Sequence, residues 1–498
     1  MSLTRRCALA APAAVALAVG AWGLDRGTLW RDEAVTWQVA RRTLPEIWHL
    51  VASVDAVHAL YYALVHALFA LDPHPGEVVL RLPSLLGAAA TAALVAELGV
   101  RLARPRVGLW AGLAYAVTPL VSRYAQEGRS YALVGALVAL ATVLFTARRW
   151  GGYAVVLAAA GLLHVFALLV VPAHLLSLRL AGYPPADRRR WAVATGAACA
   201  AVVPLLCRSR GQSGQVGWLE RPGAEAVGQL VAAFAGPVPA VTAVVPALAA
   251  AGIWAAPRVA AVAAPLLLVP PALLLGVSQL EPLYYDRYVL FALPGLPLLA
   301  AAGFDALPAA LSAVPSRWRA ARSAEAAAPP ARRPAAVAYG LAGVLLVAAG
   351  LWAQYAVQVR LRTPESRGDD FAAVARAART LVRPGDAVLY VPDMGRRIAL
   401  AYPDGFRAAA DVGLAVPGPR SATLYGTETD AATLGRRLAR HDRVWLVLTN
   451  EAAKDPGRPP ATPAERAKRA LLRAEFAETG RRRLVHGRVV LVRYERLP

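Results

Sequence analysis

Runs of about twenty apolar residues recur along this chain from Ala8 to Tyr355, and no other feature constrains its fold as strongly. A helix needs roughly 20 residues to cross a hydrocarbon core of about 30 Å, and inside lipid the backbone must satisfy its own hydrogen bonds. Composition agrees: of 498 residues 57% are hydrophobic and 17% charged, with a mean hydropathy of +0.44, well above soluble chains. The expected fold class is an all-α polytopic membrane protein. The net charge of +22 does not indicate nucleic acid, because Lys and Arg fall in short segments between the apolar runs. Cys7, Cys199 and Cys207 have no paired spacing, which gives neither a disulfide framework nor a zinc site.

Parity of basic segments sets the expected topology. Arg5 and Arg6 precede an apolar run, Ala8 to Leu24, that fits a cleaved signal peptide or an uncleaved anchor. Kept as an anchor with its N-terminus inside, it places the segment 25–76 outside, and a helix from Glu77 to Leu102 returns to Arg101, Arg104 and Arg106. Helices Val107–Val121 and Tyr131–Thr146 follow, joined by an external turn at 122–130 and ending at Arg148 and Arg149. Tyr153–Leu180, with His164 and Pro172, splits into two crossings that return to Arg188, Arg189 and Arg190. Further runs at 191–206, 227–255, 259–277, 288–307 and 337–355 complete about eleven transmembrane helices and leave the C-terminus outside. The linker 315–334, rich in Ala, Pro and Arg without apolar periodicity, reads as a flexible cytoplasmic loop.

The domains expected are 1–357, a membrane domain with external loop 25–76, and 358–498, a small extracytoplasmic α/β domain. In the latter an amphipathic helix at 370–381 precedes a strand at 387–391, a helix at 430–440 precedes a strand at 444–448, and a basic helix at 463–479 precedes a strand at 488–494. No phosphate-binding glycine motif stands at a strand-to-helix junction, which argues against nucleotide-driven work.

Four constellations can carry chemistry. Asp32 and Glu33 follow the first helix, so their carboxylates belong at the external membrane surface. A partly buried carboxylate there can take a proton from an acceptor as it attacks an anomeric carbon, while the plainer reading is the first turn of an interfacial helix, where acids suit the dipole. Asp55 and His58 lie one helical turn apart. Two ligands without a third give weak support for a divalent metal, and an N-cap at Asp55 is the alternative. Nearby Trp37, Trp48, Tyr61 and Tyr62 fit an interfacial belt. The external turn carrying Arg123, Tyr124, Glu127 and Arg129 breaks the positive-inside pattern. Its guanidinium forks suit a phosphate, with an Arg–Glu ion pair as the structural alternative. Arg287, in the external turn 281–288, is a further phosphate candidate. His164 and His174, at membrane depth, stand outside this set.

These residues resemble the GT-C superfamily of membrane glycosyltransferases, specifically the bacterial relatives of protein O-mannosyltransferases and the aminoarabinose transferase (glycosyltransferase family 39-like). The resemblance rests on Asp32-Glu33, Arg81-Leu82-Pro83-Ser84, Pro119 and the run from Arg123 through Arg129 to Leu133. It implies that Asp32 is the base, that a hexose or pentose leaves a polyprenyl-phosphate donor with inversion, and that a lipid, glycan or protein acceptor receives it outside the bacterial cytoplasmic membrane. Glu33 and Asp55 then position acceptor or sugar, and Arg123, Arg129 and Arg287 hold the donor phosphate. The residues identify no cofactor, and their support for a divalent metal is weak. An Asp-x-His-Pro-Pro-Leu-Tyr pattern common in relatives appears here from Asp55 to Tyr62 with Ala59 replacing the prolines, and Gly128 stands where relatives often carry alanine. Two rival classes remain open on sequence: a transporter or lipid flippase, which places its polar groups at the midplane, and a non-catalytic cell-envelope scaffold with the basic surface Arg466 to Arg483.

Overall fold

The computed structural model describes residues 3–72, 74–212, 214, 217, 219–313 and 332–498. The linker 315–334 therefore lies, apart from its last three residues, outside the described residues. The chain is mostly helical and multi-pass, with a small strand-containing C-terminal part. It divides into two compact units, Met1–Leu24 with Arg81–Leu361 and Asp25–Leu80 with Arg362–Pro498.

In the first unit, four helices among the described residues are long and apolar enough to cross a membrane: Leu3–Ala21, Glu77–Leu102, Pro185–Arg210 and Pro257–Val277. The number rises to six if each of two bent pairs is one span. The expected eleven counts the shorter apolar helices as well. Breaks fall where backbone chemistry demands them. The run expected as one helix at 227–255 bends by 88° between Glu225–Ala235 and Pro239–Ala255, where Gly236 adopts a φ of 116° and prolines follow. The third helix stops at Val117. Thr118, preceding Pro119, is extended, and Pro119 starts a second helix, Pro119–Ala125. Arg123 and Tyr124 consequently sit on a short helix, where a loop was expected.

Small residues let helices approach closely. Gly252 and Gly303 face each other between Pro239–Ala255 and Gly295–Ala313, and a Cβ on either would overlap a backbone carbonyl of the other helix, Leu299 or Leu248. The basic segments pair at one end: Arg5 and Arg101 share Glu97, and Arg104 and Arg106 share Asp305.

The second unit holds three helices from the segment after the first apolar run, Arg31–Ala40, Leu44–Ser53 and Ala59–Phe69. Thr43 caps the second through a reciprocal pair with Glu46. Trp37, Tyr61 and Tyr62 are buried, so only Trp48 among these aromatics is exposed as a membrane belt requires. The remainder builds β1 (Ala387–Val391), β2 (Ala410–Asp411), β3 (Leu414–Val416), β4 (Thr427–Glu428), β5 (Arg443–Thr449), β6 (Phe476–Leu484) and β7 (Val489–Arg496). One sheet has the order β2-β1-β5-β7-β6, and β3 pairs with β4. β1 is parallel to β2 and β5, and is buried along its whole length, as an apolar inner strand should be. Asp370, Asp430 and Thr462 cap the helices Phe371–Leu381, Ala431–Leu438 and Pro463–Glu475. The basic helix expected to reach Thr479 ends at Glu475, because Phe476–Leu484 pairs with β7 as an edge strand. With only one paired side and mostly exposed residues, β6 has no apolar alternation to announce it.

Candidate functional site

Within the membrane unit the turn after Pro119 is pinned by neutral side chains. Gln126 Nε2 donates to the carbonyls of Gly20 and Trp22, each at 2.8 Å. Ser84 Oγ donates to the Arg129 carbonyl at 2.8 Å and Ser130 Oγ to that of Leu163 at 3.2 Å. Buried Arg81 donates through Nη1 to the Leu24 carbonyl at 2.8 Å, closing the end of the first helix. The Arg81–Ser84 run thus serves the fold by fixing the turn that carries the arginines.

That turn buries Tyr124, Glu127 and Arg129, with Arg123 half-buried beside them. The charges of Arg123, Glu127, Asp286 and Arg287 all act on the Tyr124 hydroxyl, and those of Arg129 and Arg287 on His164. Rings line the same space. Tyr131 meets Tyr124 edge-on at 5.7 Å and His164 at 5.5 Å, and His164 lies 5.2 Å from Tyr288. The Arg287 guanidinium stands 4.3 Å over Tyr285, 5.5 Å over Tyr131 and 5.7 Å over Tyr288. Five sequence candidates, Arg123, Tyr124, Glu127, Arg129 and Arg287, therefore share one cluster. His164, set aside on sequence, joins them at the extended residue between Trp150–Leu163 and a 3-10 turn. Its signal was a polar residue interrupting an apolar run. Guanidinium groups walled by aromatic rings suit an oxyanion attached to an apolar chain.

The second unit holds the acidic candidates. Asp32 and Glu33 occupy the first turn of Arg31–Ala40, as the plainer reading expected, and Glu33 is buried while Asp32 is half-buried. The turn is anchored: Arg31 donates through Nε to Asp369 Oδ2 at 3.0 Å, and the Leu29 amide donates to the Tyr402 hydroxyl at 2.9 Å. Asp55 takes a left-handed backbone, φ 60°, ahead of the 3-10 turn Ala56–His58, and makes no side-chain cap. Its carboxylate instead accepts from the hydroxyl of fully buried Tyr62 at 2.7 Å, and the His58 ring lies 5.9 Å from that of Tyr62. Asp55, His58 and Tyr62 are brought together. Tyr425, which no sequence pattern marked, feels the charges of Arg397, Asp55 and Asp32. Burial pushes its hydroxyl above the ordinary phenol range, Arg397 opposing and the two carboxylates adding to the rise. No group of three or more His, Cys, Asp or Glu side chains able to hold a metal ion occurs among the described residues.

No family model matches the chain, and no curated protein matches it either. Solved structures do. ArnT from Cupriavidus metallidurans in the apo state is similar with a TM-score of 0.59 and 15% identity, covering 96% of each chain. The same protein bound to undecaprenyl phosphate gives a TM-score of 0.58 at 15% identity, again over 96% of each chain. At this identity the likeness is one of fold, and it extends over both units. The chain has the fold of ArnT.

Proposed function

We propose that the protein is an integral membrane glycosyltransferase that moves a hexose or pentose from a polyprenyl-phosphate donor to a lipid, glycan or protein acceptor. The observation that carries this reading is the cluster of Arg123, Arg129 and Arg287 with Tyr124, Tyr131, Tyr288 and His164 in the membrane unit. Three guanidinium groups beside aromatic rings suit a phosphate that enters on a lipid. The same unit contains an apolar cavity of about 280 Å³, lined among others by Trp110, Phe234, Leu296 and Phe304, of a character that suits an isoprenoid chain. The ArnT structure that holds undecaprenyl phosphate supports the donor class.

In this mechanism the acceptor oxygen or nitrogen attacks the anomeric carbon from the face opposite the phosphate. Its proton passes to Asp32, the bond from carbon to phosphate oxygen breaks, and polyprenyl phosphate leaves, so the configuration inverts. Negative charge grows on the leaving phosphate in the transition state, where the arginines stabilise it most. Glu33 and Asp55 position acceptor or sugar, His58 supports Asp55, and Tyr124 and Glu127 set the arginines. Residues 1–357 form the transfer domain with external loop 25–76, and 358–498 the extracytoplasmic domain. Eleven crossings in the bacterial cytoplasmic membrane put the site and the C-terminus on the outer face.

The test is transfer by the purified chain in lipid nanodiscs, with a panel of labelled polyprenyl-phosphate sugars and envelope acceptors. Asp32→Asn should abolish transfer, and full activity in that variant removes Asp32 as base. Undecaprenyl phosphate should bind wild type and fail to bind the triple Gln variant of Arg123, Arg129 and Arg287. Equal binding by both would refute the donor clamp.

A further inference from the structure

Two adjacent arginines in the second unit are both buried but differently partnered. Arg396, 3% exposed, donates to Asp411 at 2.5 Å, to Glu428 at 2.8 Å and to the Tyr425 carbonyl at 3.0 Å. Arg397, 7% exposed, reaches the Asn450 side-chain oxygen at 3.4 Å through Nη2, and its guanidinium lies 5.6 Å over the Phe371 ring. Among the described residues its Nε has no hydrogen-bond partner. A buried guanidinium needs a counter-charge, because desolvation otherwise works against folding.

The surroundings say where that counter-charge belongs. The Arg397 charge acts on the Tyr425 hydroxyl, which also feels Asp55 and Asp32. The Tyr425 ring packs against the cluster of Val35, Val39, Leu50 and Tyr62. Its backbone is held from two directions: Arg42 donates to the Leu424 carbonyl at 3.2 Å, and Arg396 to that of Tyr425. A fixed phenol and an under-satisfied guanidinium thus border the carboxylates assigned to the base and to positioning.

We infer that Arg397, with the Tyr425 hydroxyl beside it, is an oxyanion subsite for the acceptor, taking a phosphate or carboxylate carried by the molecule that receives the sugar. Its Nε and terminal amino groups offer the planar fork that binds two oxygens at once. The phenol, held protonated, adds a third donor. The assignment to the acceptor rests on the glycosyl-transfer reading, because there the donor phosphate belongs to Arg123, Arg129 and Arg287.

The experiment uses the full chain in nanodiscs with saturating undecaprenyl phosphate, so that the membrane-side arginines are occupied. Inorganic phosphate and acetate are then titrated separately while the melting temperature is followed. Wild type should be stabilised by at least one of them, phosphate and acetate distinguishing the two anion classes. Arg397→Gln should weaken the apparent affinity at least tenfold, Arg397→Lys should retain part of it, and Tyr425→Phe should lose a few-fold. Melting without ligand checks each fold, and if Arg397→Gln is unfolded, the Lys and Phe variants decide. No response in wild type, or equal responses in wild type and variants, overturns the subsite. Loss of undecaprenyl phosphate binding in a folded Arg397→Gln also overturns it, by moving Arg397 to the donor. Failure of the transfer reading appears separately, as no sugar transfer by wild type with any donor and acceptor of the panel.

Discussion

Replacing Arg396 by Met exposes how the sheet edge and the Tyr425 segment are held. Its side chain is 4% exposed and ties Asp411 of β2 to Glu428 of β4. Burial works against its charge, but the hydrogen bonds and charges of Asp411 and Glu428 outweigh it and raise the guanidinium above its ordinary range. Methionine keeps an unbranched apolar stem and removes every donor, leaving two carboxylates with lost partners. Breaking a buried pair from one side costs about 3–5 kcal/mol. Glu428 still keeps Lys468, so the lower end applies, about 3 kcal/mol, or roughly a hundredfold in an opening equilibrium. Hydrogen exchange of the full chain reads this locally. Amides of β1, whose residues Ala387 and Val388 register with Ala410 and Asp411 of β2, should lose roughly a hundredfold in protection. Membrane helices should be unaffected. Adding Asp411→Asn to the Met variant should recover part of the loss, because the unpaired charge is removed along with its partner. A loss below about fivefold, or no recovery in the double variant, would refute the claim that this ion triad holds the edge.

Tyr62→Phe removes the donor to Asp55 and should cost about 1.5–3 kcal/mol in a thermal melt, and it should lower sugar transfer more than Tyr61→Phe does. Gly303→Ala should push Gly295–Ala313 away from Pro239–Ala255 and destabilise by about 1–3 kcal/mol. Gly340→Ala, with open space around it, should melt like wild type. Arg287→Gln should lower kcat for transfer by about 10²–10³, as losing one transition-state donor does. Arg287→Lys should recover part of that, since it keeps the charge and the ring contacts but loses the planar fork. A change confined to KM in both variants would place Arg287 in ground-state binding only.

Sequence period and charge made much of this molecule legible, for reasons visible at single residues. The inner strands Ala387–Val391 and Arg443–Thr449 are buried on both faces, so each is a continuous apolar run. Asp370 and Asp430 mark helix starts because their carboxylates accept from the third residue onward. The short edge strands β2, β3 and β4 have two or three residues each and no period to detect. Arg123, Arg129 and Arg287 stood out because cations outside the expected loops violate a charge rule. His164 did not, since one histidine in an apolar run is compatible with several roles, and its neighbours Tyr131 and Tyr288 come from distant segments. Tyr425 and Arg397 gave no signal for the same reason: their meaning lies in Asp32, Asp55 and Asn450, at separations no local pattern spans.

Those long separations bear on what the tail does. The segment bearing Asp32 and Asp55 is folded with residues from 362 onward: Arg31 on Asp369, Leu29 on Tyr402, Arg42 on Leu424, and Glu77 accepting from Tyr402 at 2.6 Å. Each bond joins a residue of the segment Asp25–Leu80 to one more than 300 positions later. Three short helices of ten or eleven residues have little stability of their own in water, and the carboxylates they carry need fixed geometry if either is to act as a base. The C-terminal α/β part is then the scaffold of the acidic candidates. A chain cut after Leu361 would lose the support that orients Asp32 and Asp55.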